Sequence, residues 1–255
     1  MKIIFCTGLI RSGSTWSYNV SRLIGAALAE HLQMPFWCGY RDAQNLDSVL
    51  DELTGMGKPI VVIKTHWPSR RALEFMKHES VKNIYTIRDP RDCVASRHLK
   101  TKDSLDNSLN VIVKNLVLFF PFYQQCKNTL FVRYEEMMKD SQKYIRAIAE
   151  HLGVTLNGSL ASSIDEQTGM ENAKRIAESL SARSSDTLIH DRGHLVDPLT
   201  MLHDNHIQGG ICGRWKQEFS NEQKRLLLNT LKSWLVILGY ETDDSIDDQL
   251  SALDS

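Results

Sequence analysis

Four short apolar runs, each followed at once by polar residues, constrain the fold of this chain more than any other sequence feature. The runs are Lys2–Thr7, Pro59–Ile63, Asn83–Ile87 and Thr129–Val132, and helical patterns lie between them. Continuous apolar runs that alternate with helices are typical of parallel strands whose two faces are both buried. The sequence therefore predicts an α/β fold with a short, mostly parallel central sheet flanked by helices.

The residues that follow these strands are the first candidates for a functional site. Ligands of open parallel sheets bind beyond the carboxyl ends of the strands. Here those positions hold Gly8, Lys64–His66, Arg88–Asp92 and Arg133–Glu136. We therefore expect the site at this edge of the sheet.

The second half of the chain has mostly helical patterns, over Asp103–Lys127, Gln142–Leu152, roughly Glu166–Leu180 and Asn221–Leu238. Residues 181–213 lack periodicity, and a long irregular stretch inside a compact domain is typical of a lid or a binding loop. The acidic tail at residues 241–255 has few large apolar side chains, so we predict that it frays. No repeat or interdomain linker is visible, and residues 1–255 are predicted to form a single domain.

The composition limits the partners and the compartment. The formal net charge is −1, which gives the chain no overall basic excess for nucleic acid or an anionic membrane. The five cysteines are odd in number and scattered, which argues against a disulfide framework or a zinc site and fits a reducing compartment. The N-terminal segment becomes polar too early for a signal peptide or a membrane anchor. These features predict a cytoplasmic, enzyme-sized domain.

The segment Gly8–Thr15 resembles a phosphate-binding loop, because it follows a strand and opens a helix. Its spacing matches the Walker pattern except that Ser14 replaces the lysine, and a cation comes earlier, at Arg11. The missing lysine argues against phosphoryl transfer. The rest of the loop is compatible with the three-layer, P-loop-like fold that we expect for this chain. A helix start that uses Ser and Thr only for N-capping is the alternative interpretation.

Five segments, in order along the chain, resemble the motifs of cytosolic-type sulfotransferases. They are Arg11–Trp16 (family pattern Lys-Ser-Gly-Thr-Thr-Trp), Lys64–Pro68 (Lys-Thr-His-Leu-Pro), Ile87–Ser96 (Arg-Asn-Pro-Arg-Asp and a later serine), Arg133–Met137 (Tyr-Glu-Asp) and Gly210–Lys216 (Gly-x-x-Gly-Asp-Trp-Lys). Each motif alone is weak evidence, but five in order are strong. The chain is most similar in character to bacterial enzymes that act on small molecules or natural products.

The resemblance implies transfer of a sulfuryl group from 3′-phosphoadenosine-5′-phosphosulfate (PAPS), which leaves 3′-phosphoadenosine-5′-phosphate (PAP). Arg11 and the backbone amides of Ser12, Gly13, Ser14 and Thr15 would hold the 5′-phosphate. Lys64 would support the transferring group, and His66 would act as general base during in-line attack by the acceptor. The ordinary pKa of a histidine, about 6.5, suits that role.

The same resemblance assigns the nucleotide contacts. Arg88 and Ser96 would bind the 3′-phosphate, for which the planar guanidinium of arginine is well suited. Trp16 and Tyr134 would lie near the adenine and nucleotide side, where we also place Thr168, Gly210 and Arg214. No metal is expected, because a sulfuryl group carries less charge than a phosphoryl group.

The chain departs from the family pattern at two places. Arg11 replaces the usual lysine, which keeps the charge and changes the geometry. Before Gly210 the family has Arg-Lys, where this chain has Gln208 and Gly209, and Arg214 replaces the family's aspartate. Arg214, His206 or Arg192 could supply the missing cations, and the sequence leaves these three alternatives open.

Acceptor contacts are expected from segments outside the five motifs, which are the variable parts of such enzymes. The aromatic segment Met34–Tyr40 could line a pocket or pack as a loop on the sheet, and Trp67 follows the proposed base. The acceptor-contact candidates are Phe36, Trp37, Tyr40, Trp67, His190 and Asp191. The acidic residues of the irregular segment (Asp186, Asp191, Asp197 and Asp204) favour a polar or cationic small molecule, and a homodimer is left open.

Two other functions compete with sulfuryl transfer. A P-loop small-molecule kinase would need Mg²⁺ and ATP, yet the chain lacks the Walker lysine and a strand that ends in a metal-binding aspartate. A non-catalytic nucleotide-binding protein of the same fold is the second alternative, and the presence of Lys64, His66 and Arg88 together argues against it. For each candidate a structural role is the alternative: His66 could bond a backbone carbonyl, Asp89 and Asp92 could cap a helix, and Ser96 could be an ordinary helix residue.

Overall fold

The computed structural model describes residues 2–55, 59–191, 193–205 and 209–253. A five-stranded parallel sheet lies at its centre, with the strand order β2-β3-β1-β4-β5. The strands are β1 (Lys2–Gly8), β2 (Phe36–Tyr40), β3 (Ile60–Lys64), β4 (Val81–Ile87) and β5 (Thr129–Arg133). The predicted α/β, three-layer, P-loop-like fold is confirmed, because helices cover both faces of this sheet.

The helices are α1 (Ser14–Leu32), α2 (Ala43–Gly55), α3 (Arg70–Met76), α4 (Pro90–Thr101), α5 (Leu105–Gln125), α6 (Tyr134–Met137), α7 (Ser141–His151), α8 (Gly158–Thr168), α9 (Met170–Ser179), α10 (Trp215–Glu218), α11 (Asn221–Ile237) and α12 (Asp243–Ala252). A short hairpin of β6 (Ile189–Asp191) and β7 (His194–Val196) lies between α9 and α10. Among the described residues, no helix is both long enough and apolar enough to cross a membrane.

Alternate side chains of the strands enter two separate hydrophobic cores. Phe5 and Ile63 pack with α2, α3, α4, α5, α11 and α12 on one face. Cys6 and Val62 pack with α1, α6, α7 and α8 on the other face. A strand side chain points to each face in turn, so a strand buried on both faces must be apolar throughout. This is the physical reason for the uninterrupted apolar runs in the sequence.

Three sequence-based predictions are wrong in detail. The helix predicted over Glu166–Leu180 is interrupted at Gly169, where α8 ends and α9 begins. The aromatic segment near Met34 is a strand, because Phe36–Tyr40 pairs with β3 in parallel register. The tail does not fray over Asp243–Ala252, because α12 packs on α11 and buries Ile246 completely.

The order of the strands places a crevice at the carboxyl edge of the sheet. After β1 the chain enters α1 on one face, whereas after the neighbouring β3 it enters α3 on the opposite face. The two connections therefore separate, and a crevice opens between them. The loop after Gly8 and the segment after Lys64 both line this crevice.

Candidate active site

One large cavity, about 1320 Å³, lies at this carboxyl edge. Pockets that bind a single drug-sized molecule measure about 300–1000 Å³. The cavity is therefore large enough for two ligands side by side. Its walls come from the β1–α1 loop, the end of β3, α4, the α8–α9 junction, the β6–β7 hairpin and residues 210–214.

The β1–α1 loop is held open by backbone geometry and by a buried serine. Gly8 has φ 144°, and a Cβ there would lie 2.1 Å from Oγ1 of Thr86. Ser12 is fully buried, and its Oγ lies 2.6 Å from the same Thr86 Oγ1. The Ser12 hydroxyl thus fastens the loop to β4. Helix α1 then begins at Ser14 without a capping side chain. No side chain therefore caps the N–H groups of its first turn, which lie at the end of the helix that borders the cavity.

Arg11 connects this loop to α4. Its backbone has a positive φ of 71°, and its Nε donates a hydrogen bond to Oγ of Ser96 at 3.0 Å. Burial, and next the charge of Arg88, lower the pKa of Arg11 to about 10. The structure therefore brings Arg11, Ser96 and Arg88 together, as the motifs imply.

Arg88 is 5% exposed and is fixed by four neighbours, one of which is the buried carboxylate of Asp92, whose Oδ2 lies 3.5 Å from Nη2 of Arg88. Its Nη2 donates to the carbonyl of Ile211 at 2.8 Å, its Nη1 to the carbonyl of Arg11 at 3.4 Å, and its guanidinium lies 4.3 Å from the ring centre of Tyr134. The buried Nε has no hydrogen-bond partner among the described residues. Buried donors are nearly always satisfied, so this one is available for a ligand.

Lys64 and His66 stand at the end of β3, facing the start of α1. Nε2 of His66 lies 3.2 Å from Oγ of Ser14 and 3.4 Å from Nζ of Lys64. Nδ1 lies 3.3 Å from the carbonyl oxygen of Gly8, which can only accept, so Nδ1 carries the proton. Burial, and next the Lys64 cation, lower the pKa of His66 well below its ordinary value. Burial also lowers the pKa of Lys64, to about 8.

Asp42 holds the His66 segment in place, and the sequence analysis missed it. Its Oδ1 accepts hydrogen bonds from Oγ1 of Thr65 at 2.8 Å, from the backbone N–H of His66 at 3.0 Å and from that of Trp67 at 3.1 Å. Its Oδ2 accepts from the hydroxyl of Tyr40. One carboxylate therefore receives four donors around the candidate base.

The other predicted nucleotide contacts line the same half of the cavity. They are Gly13, Thr15, Trp16, Tyr134, Thr168, Gly210 and Arg214. Gly210 has φ 64°, and a Cβ there would lie 2.7 Å from Cε of Met170. The side chain of Arg214 makes no hydrogen bond or ion pair with the described residues. Arg192, His206 and Gln208 lie outside the described residues.

The candidate acceptor residues divide into two groups. Tyr40, Trp67, His190 and Asp191 line the cavity, whereas Phe36 and Trp37 are not among its lining residues. Phe36 packs against Gly25 of α1 at the far end of β2, and Trp37 lies on the opposite face of the sheet beneath Arg41. Successive side chains of a strand point to opposite faces of the sheet, so only some of them can reach one site. The interpretation of this segment as a loop did not take this into account.

Two more cavity residues, Lys100 and His203, were also missed. Burial, and next the charges of Arg11 and Lys64, lower the pKa of Lys100 to about 7. Burial, and next the charges of Lys100 and Lys64, lower the pKa of His203 to about 3. The segment that carries His203 is tied to α1, because Nδ2 of Asn19 donates to the carbonyl of Thr200 at 2.8 Å. Spacing could have indicated Lys100, which lies one helical turn after Ser96.

Comparison with known proteins finds similarity to sulfotransferases. The family model described as the sulfotransferase domain matches residues 2–238. A cytosolic sulfotransferase of Arabidopsis thaliana is 26% identical over 182 residues, which are 63% of this chain and 55% of that protein, so the match spans little more than half of its length. Sulfotransferase 2B1 of Mus musculus is 23% identical over 86% of this chain and 67% of its own.

Solved structures show the same fold. A mouse sulfotransferase complexed with PAP superposes with a TM-score of 0.63 at 19% identity, over 98% of this chain and 87% of its own. A retinol dehydratase in complex with androsterone and PAP superposes with a TM-score of 0.57 at 19% identity, over 92% of this chain and 81% of its own.

Proposed function

This chain belongs to the sulfotransferase family, and from that premise we propose that it transfers a sulfuryl group from PAPS to a hydroxyl or amine of a small, polar natural-product acceptor. The observation that carries the proposal is the position of His66, whose Nε2 faces Ser14 and Lys64 in the crevice beside the Arg11 loop. A base, two cations and a helix N-terminus meet there around one point of the cavity.

The residues present fit a donor that carries one phosphate on the 3′ oxygen and one on the 5′ oxygen of its ribose. Arg11, Arg88 and Ser96 form one contiguous group, and the buried Nε of Arg88 lacks a partner among the described residues. Arg214 adds a cation beside Gly209 and Gly210, so we assign it to the 3′-phosphate in place of the family's Arg-Lys pair. Tyr134, which lies beneath Arg88, would border the nucleotide.

When bound, PAPS supplies a sulfuryl group whose bond to the 5′-phosphate breaks as the acceptor's oxygen or nitrogen bonds to sulfur, which leaves PAP. His66 takes the acceptor's proton at Nε2, because Nδ1 already donates to the carbonyl of Gly8. The lowered pKa keeps the imidazole neutral, so that Nε2 has a lone pair at working pH. Asp42 fixes the backbone of the base.

Lys64 and Arg11 would stabilise the charge that develops as the donor's bond to sulfur breaks. Both cations are held in a partly closed cavity, where electrostatic interactions are stronger than in water. Lys64 is 6% exposed and lies 4.8 Å from the ring centre of Tyr40, which restricts its side chain. We propose no metal ion, because these side chains supply the positive charge. The cytosolic relative supports a cytoplasmic location for the reaction.

The test compares two donors with one protein. Wild-type protein is incubated with ³⁵S-labelled PAPS, or with γ-³²P-labelled ATP and Mg²⁺, and with a panel of small hydroxyl and amine acceptors. We expect labelled product from PAPS alone, and at least about 10²-fold slower transfer by His66→Ala. Transfer of ³²P, or equal transfer of ³⁵S by wild type and His66→Ala, would contradict the proposal.

A further inference from the structure

Lys100 and Arg214 differ from most of the cations that line the cavity, and Arg214 is already assigned to the 3′-phosphate. Arg22, Arg41 and Arg97 have partners close by: Oδ1 of Asn19, the carbonyl of Tyr40 and the carboxylate of Asp103 respectively. Lys100 is partly buried on α4, and its ammonium makes no hydrogen bond or ion pair with any described residue. A cation that is partly removed from water and has no counter-ion is destabilised, so a ligand is the natural source of its counter-ion.

The donor does not need this cation. The 3′-phosphate monoester carries about two negative charges near neutral pH, and the phosphosulfate carries roughly two more. Four cationic side chains already stand on the donor side: Arg11, Lys64, Arg88 and Arg214. Lys100 lies one turn of α4 beyond Ser96, and it is near enough to Arg11 and Lys64 on one side and to Asp191 of the hairpin on the other for their charges to act on it. It therefore faces the half of the cavity that is left for the acceptor.

We propose that Lys100 anchors an anionic group of the acceptor, so that the physiological substrate carries a carboxylate in addition to the hydroxyl or amine that is sulfated. This inference rests on the proposed sulfotransferase function. It replaces the sequence-based expectation of a cationic acceptor.

The acidic residues that favoured a cationic acceptor are largely engaged elsewhere. Asp204 accepts hydrogen bonds from Nδ1 of His194 at 3.0 Å and from the backbone of Leu195. Asp197 pairs with Arg183 and accepts from the hydroxyl of Thr200. Asp191 is exposed on the hairpin and does not ion-pair with Lys100.

The state of Lys100 without a ligand agrees with this assignment. Its pKa is lowered to about 7 by burial and by the cations of Arg11 and Lys64, and Asp191 and Asp204 only partly oppose that shift. A carboxylate within about 4–6 Å of a cation shifts the pKa of that cation upward by about one to three units. Binding of a carboxylate should therefore return Lys100 to its protonated form.

The first test uses acetate as the probe. Lysine-labelled protein, with and without saturating PAP, is titrated with sodium acetate against sodium chloride at equal ionic strength, and the Cε resonance of Lys100 is identified by its absence in Lys100→Met. We expect saturable acetate binding that raises the pKa of Lys100 by about one unit or more. An identical response to chloride, or no response, would overturn the proposal.

The second test measures turnover of three acceptors that share one phenol: 4-hydroxyphenylacetate, 4-hydroxyphenylacetamide and tyramine. We expect wild type to prefer the carboxylate by about 10- to 100-fold in kcat/KM, the range of a charge-assisted hydrogen bond. Lys100→Met should lose this preference, and Lys100→Glu should reverse it toward tyramine. The control is Lys102→Met, a change at an exposed lysine at the end of the same helix.

Measurement of PAP binding distinguishes a failure of the proposed sulfotransferase function from a failure of the assignment of Lys100 to the acceptor. Both lysine variants should bind PAP as wild type does, because Lys100 is assigned to the acceptor. A Lys100→Met protein that lost PAP binding would assign Lys100 to the donor and contradict the inference. Equal turnover of the three acceptors by wild type would also contradict the inference. If none of the three is turned over, the acetate titration alone determines whether Lys100 binds a carboxylate. A wild-type protein that failed to bind PAP would overturn the proposed function and this inference together.

Discussion

The carboxylate of Asp42 accepts a hydrogen bond from the backbone N–H of His66, with 3.0 Å between Oδ1 and N. The same oxygen accepts from Thr65 and Trp67, so the segment that carries the candidate base wraps around one charged group. Hydrogen bonds to a charged partner are stronger than those between neutral groups. Asp42 also opposes the cations that lower the pKa of Lys64 and His66. It is therefore a positioning residue that also adjusts the charge of the site.

Replacement of Asp42 by Asn tests that role. Asn keeps the shape and loses the charge, so we expect kcat to fall by about 10- to 100-fold, since charge-assisted hydrogen bonds contribute about 1.5–3 kcal/mol. PAP affinity should change little. The pH dependence of kcat should move as well, which a purely structural defect would not produce. Asp51→Asn, which removes an exposed partner of Arg71, is the matched control. Wild-type kcat and pH profile in Asp42→Asn would refute the assignment.

Replacement of His66 separates binding from chemistry. His66→Ala should bind PAP with an affinity within a few-fold of wild type, while transfer falls by at least about 10²-fold, the usual contribution of a general base. Titration calorimetry measures the binding, and product formation from PAPS measures the transfer. Retained transfer in this variant would remove His66 from the role of base.

Binding of PAP should take up protons near pH 8. Burial lowers the pKa of Lys64 to about 8, so much of this amine is neutral there before the ligand binds. An anion beside it favours the protonated form and raises the pKa. Calorimetry in two buffers of different ionisation enthalpy should show the uptake, and PAP affinity should fall as the pH rises above about 8. Lys64→Met should abolish most of the uptake; uptake unchanged in that variant would contradict this account.

The unliganded protein should be more stable without the Lys64 charge. The folded-state pKa lies below the unfolded value of 10.5, so the unfolded chain binds more protons between about pH 8 and 10.5. The cost of the buried charge is therefore fully present below about pH 8 and is relieved as the pH rises through that window. We expect Lys64→Met to raise Tm by roughly 2–4 °C at pH 7, or about 1 kcal/mol for a chain of this size. A lower Tm in that variant would contradict the account.

The sequence was enough to predict the site residues that directly follow the buried strands. It was not enough to predict the site residues that reach the cavity from other parts of the fold. Lys64, His66 and Arg88 follow apolar runs whose direction in a parallel sheet fixes where their side chains emerge. Asp42 follows an edge strand that the sequence did not reveal, because its aromatic residues also fit a packed loop. His203 reaches the cavity only through the tertiary path of residues 197–204, whose anchoring to Asn19 has no local signal.

The most direct test of the central claim is calorimetric titration with PAP and with AMP, without magnesium, on wild type and Arg88→Met. The account predicts that PAP binds far more tightly than AMP, because only PAP has the 3′-phosphate assigned to Arg88, Ser96 and Arg214. Arg88→Met should weaken PAP binding by about 10- to 100-fold and leave AMP binding nearly unchanged. Arg71→Met, at an exposed arginine, is the control. Equal affinity for PAP and AMP in wild type, or a preference for magnesium-ATP, would contradict it.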